Sequence, residues 1–337
     1  MTADDSSAGA SARRPTIQDV AAAAGVSRAL VSIVLRGAPG ASEATRLRVR
    51  EVAQRLGYRP DRRAQQLRES RSRTVGVSFE VRQAFHGDLV ETLYTAAADR
   101  GFSLLLSASA RTRTEGDAVQ TLLDDRPEAL VLIGSRLGDD ALRELRRRLP
   151  VVVLARTAAG VVDAVRTDDA EGARRGVGHL AELGHRRILH LDGGDAAGAA
   201  ARRAGFLETA GPDARLLPGG VDEEAGARAA TALLDNGEEL PTAVFAFNDR
   251  CAFGVLDTFL RRGIRVPEDV SVLGFDDSLL SRLEVVGLST IAQDPLGLAR
   301  ATLDRVVAAV DAAAAAPVEV VLEPALVVRR TTAAPRD

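Results

Sequence analysis

Near the start of the chain, apolar residues recur at the helical spacing i, i+3, i+4 and i+7, which predicts one face of a short helix. The residues of this face are Ile17, Val20, Ala21 and Ala24. Thr16 and Asp19 have the spacing of a capping box, so the helix is expected to begin after Thr16. Gly25 favours its termination.

A second and a third helix are predicted directly afterwards. The second runs from Arg28 to about Leu35 with Ser27 as its N-cap, and its inner face is Leu30, Val31 and Val34. The third runs from Ser42 to Leu56, ends at Gly57, and buries Val49, Val52, Ala53 and Leu56. The tight turn between the first two helices predicts a helix-turn-helix, whose second helix fits the major groove of DNA.

After Arg73 the pattern changes to short apolar runs separated by helical segments. The runs are Val75 to Phe79, Leu104 to Leu106, Leu130 to Ile133, Val151 to Leu154, Ile188 to Leu191, Val244 to Phe247 and Val270 to Leu273. This alternation indicates an α/β fold with parallel sheets covered on both faces. About 264 residues suit two lobes, with ligand bound in a cleft at the carboxyl ends of the strands.

The charge is distributed unevenly along the 337 residues. Residues 1–73 hold 14 arginines and seven acidic residues, a net charge of +7, which leaves −10 for the remainder of a chain with a net charge of −3. A basic head on an acidic body is typical of a nucleic-acid-binding module joined to another kind of domain. An arginine-rich solvated surface is the alternative.

Composition excludes several classes of protein. The single cysteine, Cys251, forms neither an intramolecular disulfide nor a cysteine-rich zinc site. Residues 1–12 contain no apolar signal-peptide core, and no 18 apolar residues run together. We therefore expect a cytoplasmic protein without a membrane partner.

The head carries an ordered series of motifs. They are Thr16-Ile17-x-Asp19-Val20-Ala21-x-x-Ala24-Gly25-Val26-Ser27, Val31-Ser32, Thr45-Arg46-x-Arg48-Val49, Leu56-Gly57-Tyr58-x-Pro60 and Ala64-x-x-Leu67. This series resembles the head of the LacI/GalR family of bacterial transcription regulators. The resemblance implies phosphate contacts from Thr16, Ser27, Ser32, Thr45 and Tyr58. It implies base contacts from Arg28 and Ala29, and a hinge that includes Gln65 and Leu67, with Leu67 inserted in the minor groove.

Four positions of the head depart from that family's usual residues. Leu30 stands where the family usually has threonine, and Asp61 stands where asparagine usually opens the hinge. Ile33 stands where many members have arginine, and Arg36 stands where asparagine is common. Because Leu30 and Ile33 lack the usual polar or basic group, we expect them to alter the operator sequence that is read. We expect Arg36 to supply a phosphate contact in place of the asparagine.

The body resembles the periplasmic-binding-protein-like core of the same family. Its marks include Asp168-Asp169-x-x-Gly172, Arg202-x-x-Gly205-Phe206, Asn248-Asp249 and Gly274-Phe275-Asp276-Asp277. The resemblance implies a disordered tail at 1–14, a helix-turn-helix domain at 15–60, a hinge helix and linker at 61–73, and a core at 74–332. It divides the core into an N-lobe of 74–163 and 293–322 and a C-lobe of 164–292 and 323–332.

Six positions match the family's effector site. They are Phe85 and His86 for ring contacts, and Arg202, Asn248, Asp276 and Gln293 for polar contacts. As alternatives, Asn248 and Asp249 would simply cap a helix, and Asp276 and Asp277 would close a turn. Ala155 stands where the family often has an aspartate, which removes an acceptor for a sugar hydroxyl and leaves an anionic or otherwise unusual effector open.

Other functional classes fit the sequence poorly. The closest stretch to a dinucleotide-binding fingerprint, Gly193 to Gly198, has the wrong spacing for an oxidoreductase. No P-loop, G-x-S-x-G or H-E-x-x-H is present. A secreted sugar-binding protein would share the body but lack the basic head.

We therefore expect no enzyme, no cofactor and no metal site. The sequence predicts a DNA-binding transcription regulator that is controlled by a sugar-like effector. A repressor is the preferred interpretation, and an effector-dependent activator or dual regulator is the alternative. A homodimer on a near-palindromic double-stranded operator follows from one helix-turn-helix per half-site.

Overall fold

The computed structural model describes residues 15–35, 37–58, 72–158, 160–211, 214–237, 239–311 and 316–336. The chain divides into two compact units, Met1–Ser72 and Arg73–Asp337. We call them the head and the core. The predicted tail at 1–14, most of the predicted hinge, and the site residues Arg36, Gln65 and Leu67 lie outside the described residues.

The head contains three helices, α1 (Ile17–Ala24), α2 (Arg28–Leu35) and α3 (Glu43–Arg55). The predicted capping box of α1 is confirmed: the Asp19 carboxylate accepts from the backbone N–H of Thr16 at 2.7 Å and from its hydroxyl at 2.8 Å. Gly25 ends α1 in the left-handed conformation (φ 65°), which glycine adopts without steric cost. Ser27 accepts from the Leu30 N–H at 3.2 Å and so begins α2.

The apolar faces of these helices meet in one small core. Its buried residues are Val20, Ala21, Ala24, Val31, Val34, Val49, Val52 and Ala53. Two predicted members were wrong. Leu56 is 36% exposed because α3 ends one residue earlier, and Leu30 is only half-buried and outside this core.

The core contains two six-stranded sheets. The first has the order β11-β5-β4-β3-β1-β2 and is parallel throughout. Its strands are β1 (Thr74–Glu80), β2 (Ser103–Ser109), β3 (Ala129–Ile133), β4 (Val151–Leu154), β5 (Asp163–Thr167) and β11 (Glu319–Leu322).

The second sheet has the order β12-β10-β9-β8-β6-β7, and only β12 runs antiparallel to its neighbour. Its strands are β6 (Ile188–Asp192), β7 (Arg215–Pro218), β8 (Ala243–Ala246), β9 (Ser271–Asp276), β10 (Ser289–Ala292) and β12 (Ala325–Val327). The two-lobed α/β fold with parallel sheets is thus confirmed.

Helices cover both faces of each sheet. Those on the first sheet are α4 (Ala84–Asp99), α5 (Glu115–Asp124), α6 (Asp139–Arg148) and α11 (Pro295–Asp311). Those on the second are α7 (Asp169–Glu182), α8 (Ala199–Thr209), α9 (Glu223–Asp235) and α10 (Asp249–Arg261), and a short 3₁₀ helix spans Leu279–Arg282. Four apolar clusters result, one on each face of each sheet.

The chain passes between the two sheets three times, after β5, after β10 and after β11. Hydrogen bonds tie these passages together: the Thr167 hydroxyl donates to Gln293 Oε1 at 2.6 Å, and the Asp168 N–H donates to the Leu322 carbonyl at 2.8 Å. The first sheet continues through β5 to Thr167, past the lobe boundary expected after Asp163.

Within the described ranges, no single helix has both the length and the apolar character needed to cross a membrane. Helices α1 and α2 have the required length and apolar character only when they are taken together, and the chain bends by 103° between them.

Candidate functional sites

The exposed face of α2 presents the residues predicted to read DNA. Arg28 and Ala29 lie exposed in its first turn, and Ser32 and Ile33 follow one turn later, half-buried on the same side. Because the spacing i, i+1, i+4, i+5 keeps these four side chains on one face, α2 can offer them together to a groove. Ser27 lies exposed at the N-terminus of this helix.

The remaining predicted DNA contacts in the described head lie at helix ends. Thr16 caps α1, and the Thr45 hydroxyl lies 2.9 Å from that of Ser42, the N-cap of α3. Tyr58 follows α3 and packs half-buried against the head core. These side chains are thus held by local structure before any ligand is present.

All six predicted effector-site residues line one cavity of the core. They are Phe85, His86, Arg202, Asn248, Asp276 and Gln293. The cavity measures only about 50 Å³ and shares lining residues with a wider space of about 720 Å³. Small-molecule sites usually occupy ~300–1,000 Å³, so a ligand needs the wider space or a more open cleft.

Arg202, on α8, is the buried cation of this cavity and is 5% exposed. Its Nε donates to Asp169 Oδ1 at 2.9 Å, and its Nη1 donates to the carbonyl of Phe247 at 2.7 Å. The guanidinium carbon lies 4.7 Å from the ring centre of Phe247 and 3.5 Å from that of Phe275. Pairing and stacking fix this side chain in place.

Asp276 lies at the end of β9 with a left-handed backbone (φ 117°), as does Asp277 (φ 55°), so the turn expected as an alternative is present. Its Oδ1 accepts from Gln293 Nε2 at 2.8 Å, whereas Arg202 Nη2 is 3.9 Å away. Burial raises the pKa of Asp276 to about 7, and the neighbouring carboxylates add to the rise.

Asn248 acts as the N-cap of α10, the other alternative considered from sequence. Its Oδ1 accepts from the Cys251 N–H at 2.9 Å, and its Nδ2 donates to the Val221 carbonyl at 3.1 Å. It also lines the cavity. The capping role and a contact with ligand are therefore compatible.

The ring of His86 is buried at the start of α4. Its Nδ1 accepts from the Glu80 N–H at 3.1 Å, and burial lowers its pKa to about 4, so the imidazole is neutral near pH 7. A side chain at Gly134 (φ 57°) would meet the His86 Nε2 at 2.7 Å, so this position requires glycine. Phe85 packs partly buried against the first apolar cluster.

Sequence reasoning missed several residues that line the same cavity. Asp169 pairs with Arg202, and Phe247 stacks on it. Arg136 follows β3 at the carboxyl edge of the sheet. The signal for Asp169 in the sequence was the Asp168-Asp169 motif.

Contacts between the lobes flank this cavity. Arg82, in the loop after β1, donates from Nη2 to Asp222 Oδ2 at 2.8 Å, and Arg250 donates from Nη1 to the Arg82 carbonyl. Arg250 also pairs with Glu223. The two lobes are thus joined directly across the cleft.

These features define a class of protein. A helix-turn-helix head is joined to a two-lobed core whose cleft gathers polar and aromatic side chains at the strand ends, the usual ligand position in such folds. This is the class of ligand-responsive DNA-binding regulators.

Comparison with known proteins gives the family. Residues 16–61 match the family model for bacterial regulatory proteins of the lacI family, and residues 177–332 match that for periplasmic binding protein-like domains. The HTH-type transcriptional regulator GalR of Escherichia coli K12 is 32% identical over 331 residues, which cover 95% of this chain and 96% of GalR.

Two solved structures extend the comparison. A LacI transcriptional regulator from a Rhodococcus species is 46% identical and matches with a TM-score of 0.75, over 78% of this chain and all of that chain. The lac repressor dimer bound to operator and the anti-inducer ONPF is 29% identical, with a TM-score of 0.83 over 96% of this chain and all of that chain.

The chain belongs to the LacI family. It is a DNA-binding transcription regulator and not an enzyme.

Proposed function

We propose that this regulator is a repressor that binds a near-palindromic operator as a homodimer in the cytoplasm and is controlled by a small, sugar-like effector bound in the core. The observation that carries the proposal is the gathering of all six predicted effector residues around one cavity. The similar lac repressor was solved as a dimer on its operator, which supports the DNA-bound state proposed here.

The proposed operator contacts divide into two kinds. Arg28 and Ala29 read base edges from the first turn of α2, and Arg28 is suited to a bidentate contact with guanine. Phosphate contacts fix the head on the duplex without reading sequence. Their donors are Thr16, Ser27, Ser32, Thr45, Tyr58 and Arg36. Ile33 tunes the base preference, and Gln65 and Leu67 act in the hinge, where Leu67 wedges into the minor groove.

An exposed apolar surface supports the homodimer. We call it the α10 patch. Its large residues are Leu260 (79% exposed), Leu279 (74%), Leu280 (52%), Leu283 (44%) and Val285 (87%). Three of them, Leu260, Leu280 and Val285, line one groove of the core. Exposed apolar surface that is grouped in this way usually marks an interaction site. A two-fold operator calls for a second copy of the same chain, so we assign the patch to the dimer contact.

The effector acts by shifting a population of lobe arrangements. Arg202, Asp276 and Gln293 offer donors and acceptors to hydroxyl groups, and Phe85 and Phe247 offer apolar surface. Gln293 lies at a passage between the lobes and is hydrogen-bonded to Thr167 and Asp276. A ligand that binds Gln293 would therefore change the relative stability of the open and closed lobe arrangements. Moving the balance between two states from 1:99 to 99:1 needs ~5.5 kcal/mol of differential binding.

The domain boundaries are part of the proposal. A helix-turn-helix domain at 15–60 and a hinge at 61–73 would carry the signal to a core at 74–332. Its lobes would be 74–163 with 293–322, and 164–292 with 323–332, except that β5 keeps residues 164–167 in the N-lobe.

The experiment is a selection of fragments from the source genome with the purified full-length protein at about 150 mM salt. We expect a few fragments that share a two-fold symmetric site. Recovery of fragments without a common site, through binding that disappears as salt is raised, would contradict the proposal, because it would mean that the head only attracts phosphate.

A further inference from the structure

Two arginines follow neighbouring strands at the carboxyl edge of the first sheet, and both line one space. Strands β3 and β4 are neighbours with Ile133 opposite Leu154, and Arg136 and Arg156 follow them three and two residues later. Arg156 Nη2 donates to the carbonyl of Leu137 at 2.9 Å, next to Arg136 in the chain. The fold therefore concentrates two positive charges in one place.

Neither guanidinium is neutralised. No carboxylate of the described residues lies within 4.0 Å of either. Arg136 is held through its backbone N–H, which donates to Glu115 Oε2 at 2.7 Å, and its exposed side chain makes no hydrogen bond to the described residues. The Nε of Arg156 is buried without an acceptor. A buried donor without a partner is costly, so an acceptor from a ligand would stabilise it.

Both side chains line the wider space of about 720 Å³ beside the effector cavity. Across this space α8 begins at Gly198, which has no side-chain cap, and Ala200 and Ala201 of its first turn line the wall. The N-terminus of an eleven-residue helix adds a partial positive charge. This partial charge adds to the positive charge of Arg136 and Arg156.

Most other charges in this space already have partners. Asp168 accepts from the Glu171 N–H at 3.0 Å, Asp169 pairs with Arg202, and Arg166 pairs with Glu319 at 3.2 Å. Asp195 is the exposed carboxylate that remains, and it can accept a hydroxyl group. Among the described residues of this space, Arg136 and Arg156 are thus the cations without an ion-pair partner, and Asp195 is a carboxylate without one.

We propose that the effector is a polyhydroxylated molecule with a phosphate or carboxylate group, and that Arg136 and Arg156 bind this anionic group. The inference rests on the proposed control of the protein by an effector in the core. The polar cavity around Arg202 takes the hydroxylated part, and the wider space takes the anion, since the two share Arg136 in their walls.

The test measures the thermal midpoint of the full-length protein at constant ionic strength. The probes are inorganic phosphate, glucose 6-phosphate, gluconate and glucose. We expect at least one anion to raise Tm by ~2 °C or more beyond any effect of glucose, because a ligand that binds only the folded state stabilises it. Glucose 6-phosphate and gluconate distinguish a phosphate ester from a carboxylate.

Variants locate the site. Arg136→Gln, whose side chain has no hydrogen bond to lose, should reduce the anion-induced shift at least twofold, and Arg136→Gln/Arg156→Gln should abolish it. The control Arg228→Gln/Arg261→Gln removes two exposed arginines of α9 and α10 and should keep the full shift. A shift that survives in Arg136→Gln and in the double variant, or no shift with any anion, would overturn the inference.

Failure of this inference can be told apart from failure of the proposed function. If a genomic operator is found and glucose or another neutral sugar alone releases it, effector control stands and the anionic class is wrong. If no operator is found but the Arg136-dependent shift is present, the anion site stands and the regulatory proposal fails.

Discussion

One guanidinium serves two carboxylates in the cleft. Arg202 lies 2.9 Å from Asp169 but 3.9 Å from Asp276, so its charge is used mainly by Asp169. Asp276, whose side chain is 11% exposed, keeps a neutral amide donor from Gln293. This division explains why burial dominates and raises the pKa of Asp276. Burial also raises the pKa of Asp249, to about 6.

The contribution of Asp276 to stability should therefore fall as pH rises. A carboxyl whose pKa is higher in the folded state than in the unfolded state binds protons more tightly when folded, so its stabilising effect is lost between about pH 4 and pH 7. Asp276→Asn should remove this loss, so the difference in the free energy of unfolding between variant and wild type should grow as pH rises to 7.5, in favour of the variant. Denaturant unfolding followed by circular dichroism measures it.

The control for this prediction is Asp257→Asn, at a half-exposed carboxylate of α10. It should keep the wild-type slope. An Asp276→Asn profile parallel to that of wild type would remove Asp276 as the titrating group.

Arg28 should read one base pair in each half-site. Its side chain is exposed in the first turn of α2, so Arg28→Ala should relax the preference at that pair by ~1–3 kcal/mol of discrimination. Arg50→Ala, on the exposed surface of α3, is the matched control and should change the affinity for all operator sequences by the same factor. Sequencing of bound duplexes from a randomised pool measures both. An unchanged base preference in Arg28→Ala would exclude it from base reading.

At the scale of elements, glycines allow helix pairs to pack closely. An added Cβ at Gly205 of α8 would lie 2.2 Å from the Ala170 carbonyl oxygen of α7. One at Gly254 of α10 would lie 2.0 Å from the Glu223 carbonyl oxygen of α9. Backbone on the other side cannot move as a side chain can, so both contacts require glycine.

Gly254→Ala should accordingly destabilise the core by ~1–3 kcal/mol or more, as overpacking does. Gly178→Ala, on α7 with open space around it, should be neutral or stabilise by up to ~1 kcal/mol because alanine favours helix. Denaturant unfolding of the two variants compares them. Equal stability would show that α9 and α10 separate without cost.

Prediction of elements from sequence worked where apolar runs were long. The runs at 75–79 and 151–154 became central strands, because a strand buried on both faces is apolar throughout. β5, with Asp163 and Arg166, and β7, at a sheet edge, were not predicted as strands. The polar residues of these two segments form ion pairs or face solvent, so the segments show no apolar run. They are strands because they pair with the neighbouring strand.

The cleft shows a similar division between sequence and structure. Motifs identified the six residues around the cavity, but the partners of Arg202 depend on three separate elements meeting. Arg136 and Arg156 carry no motif. Their proximity arises from the pairing of β3 with β4, which the pattern of apolar residues does not reveal.

At the scale of the whole molecule, the α10 patch should hold the dimer together. Leu260→Glu/Val285→Glu places charges on its two most exposed residues and should yield a monomer in sedimentation. Operator affinity should fall by ~10²–10⁴-fold, since the second half-site no longer binds within the same complex.

The matched control is Leu207→Glu, a half-exposed leucine of α8 outside the patch, which should remain dimeric. A dimer that persists in Leu260→Glu/Val285→Glu would place the contact elsewhere on the molecule.

Transcription from a promoter carried on a selected genomic fragment tests the central claim most directly. With purified RNA polymerase, the wild-type protein should reduce the transcript, and Arg28→Ala should do so only at higher concentration because its specific affinity is lower. Transcription that is unchanged when the fragment is fully bound would contradict control by this protein, and an increase would contradict repression.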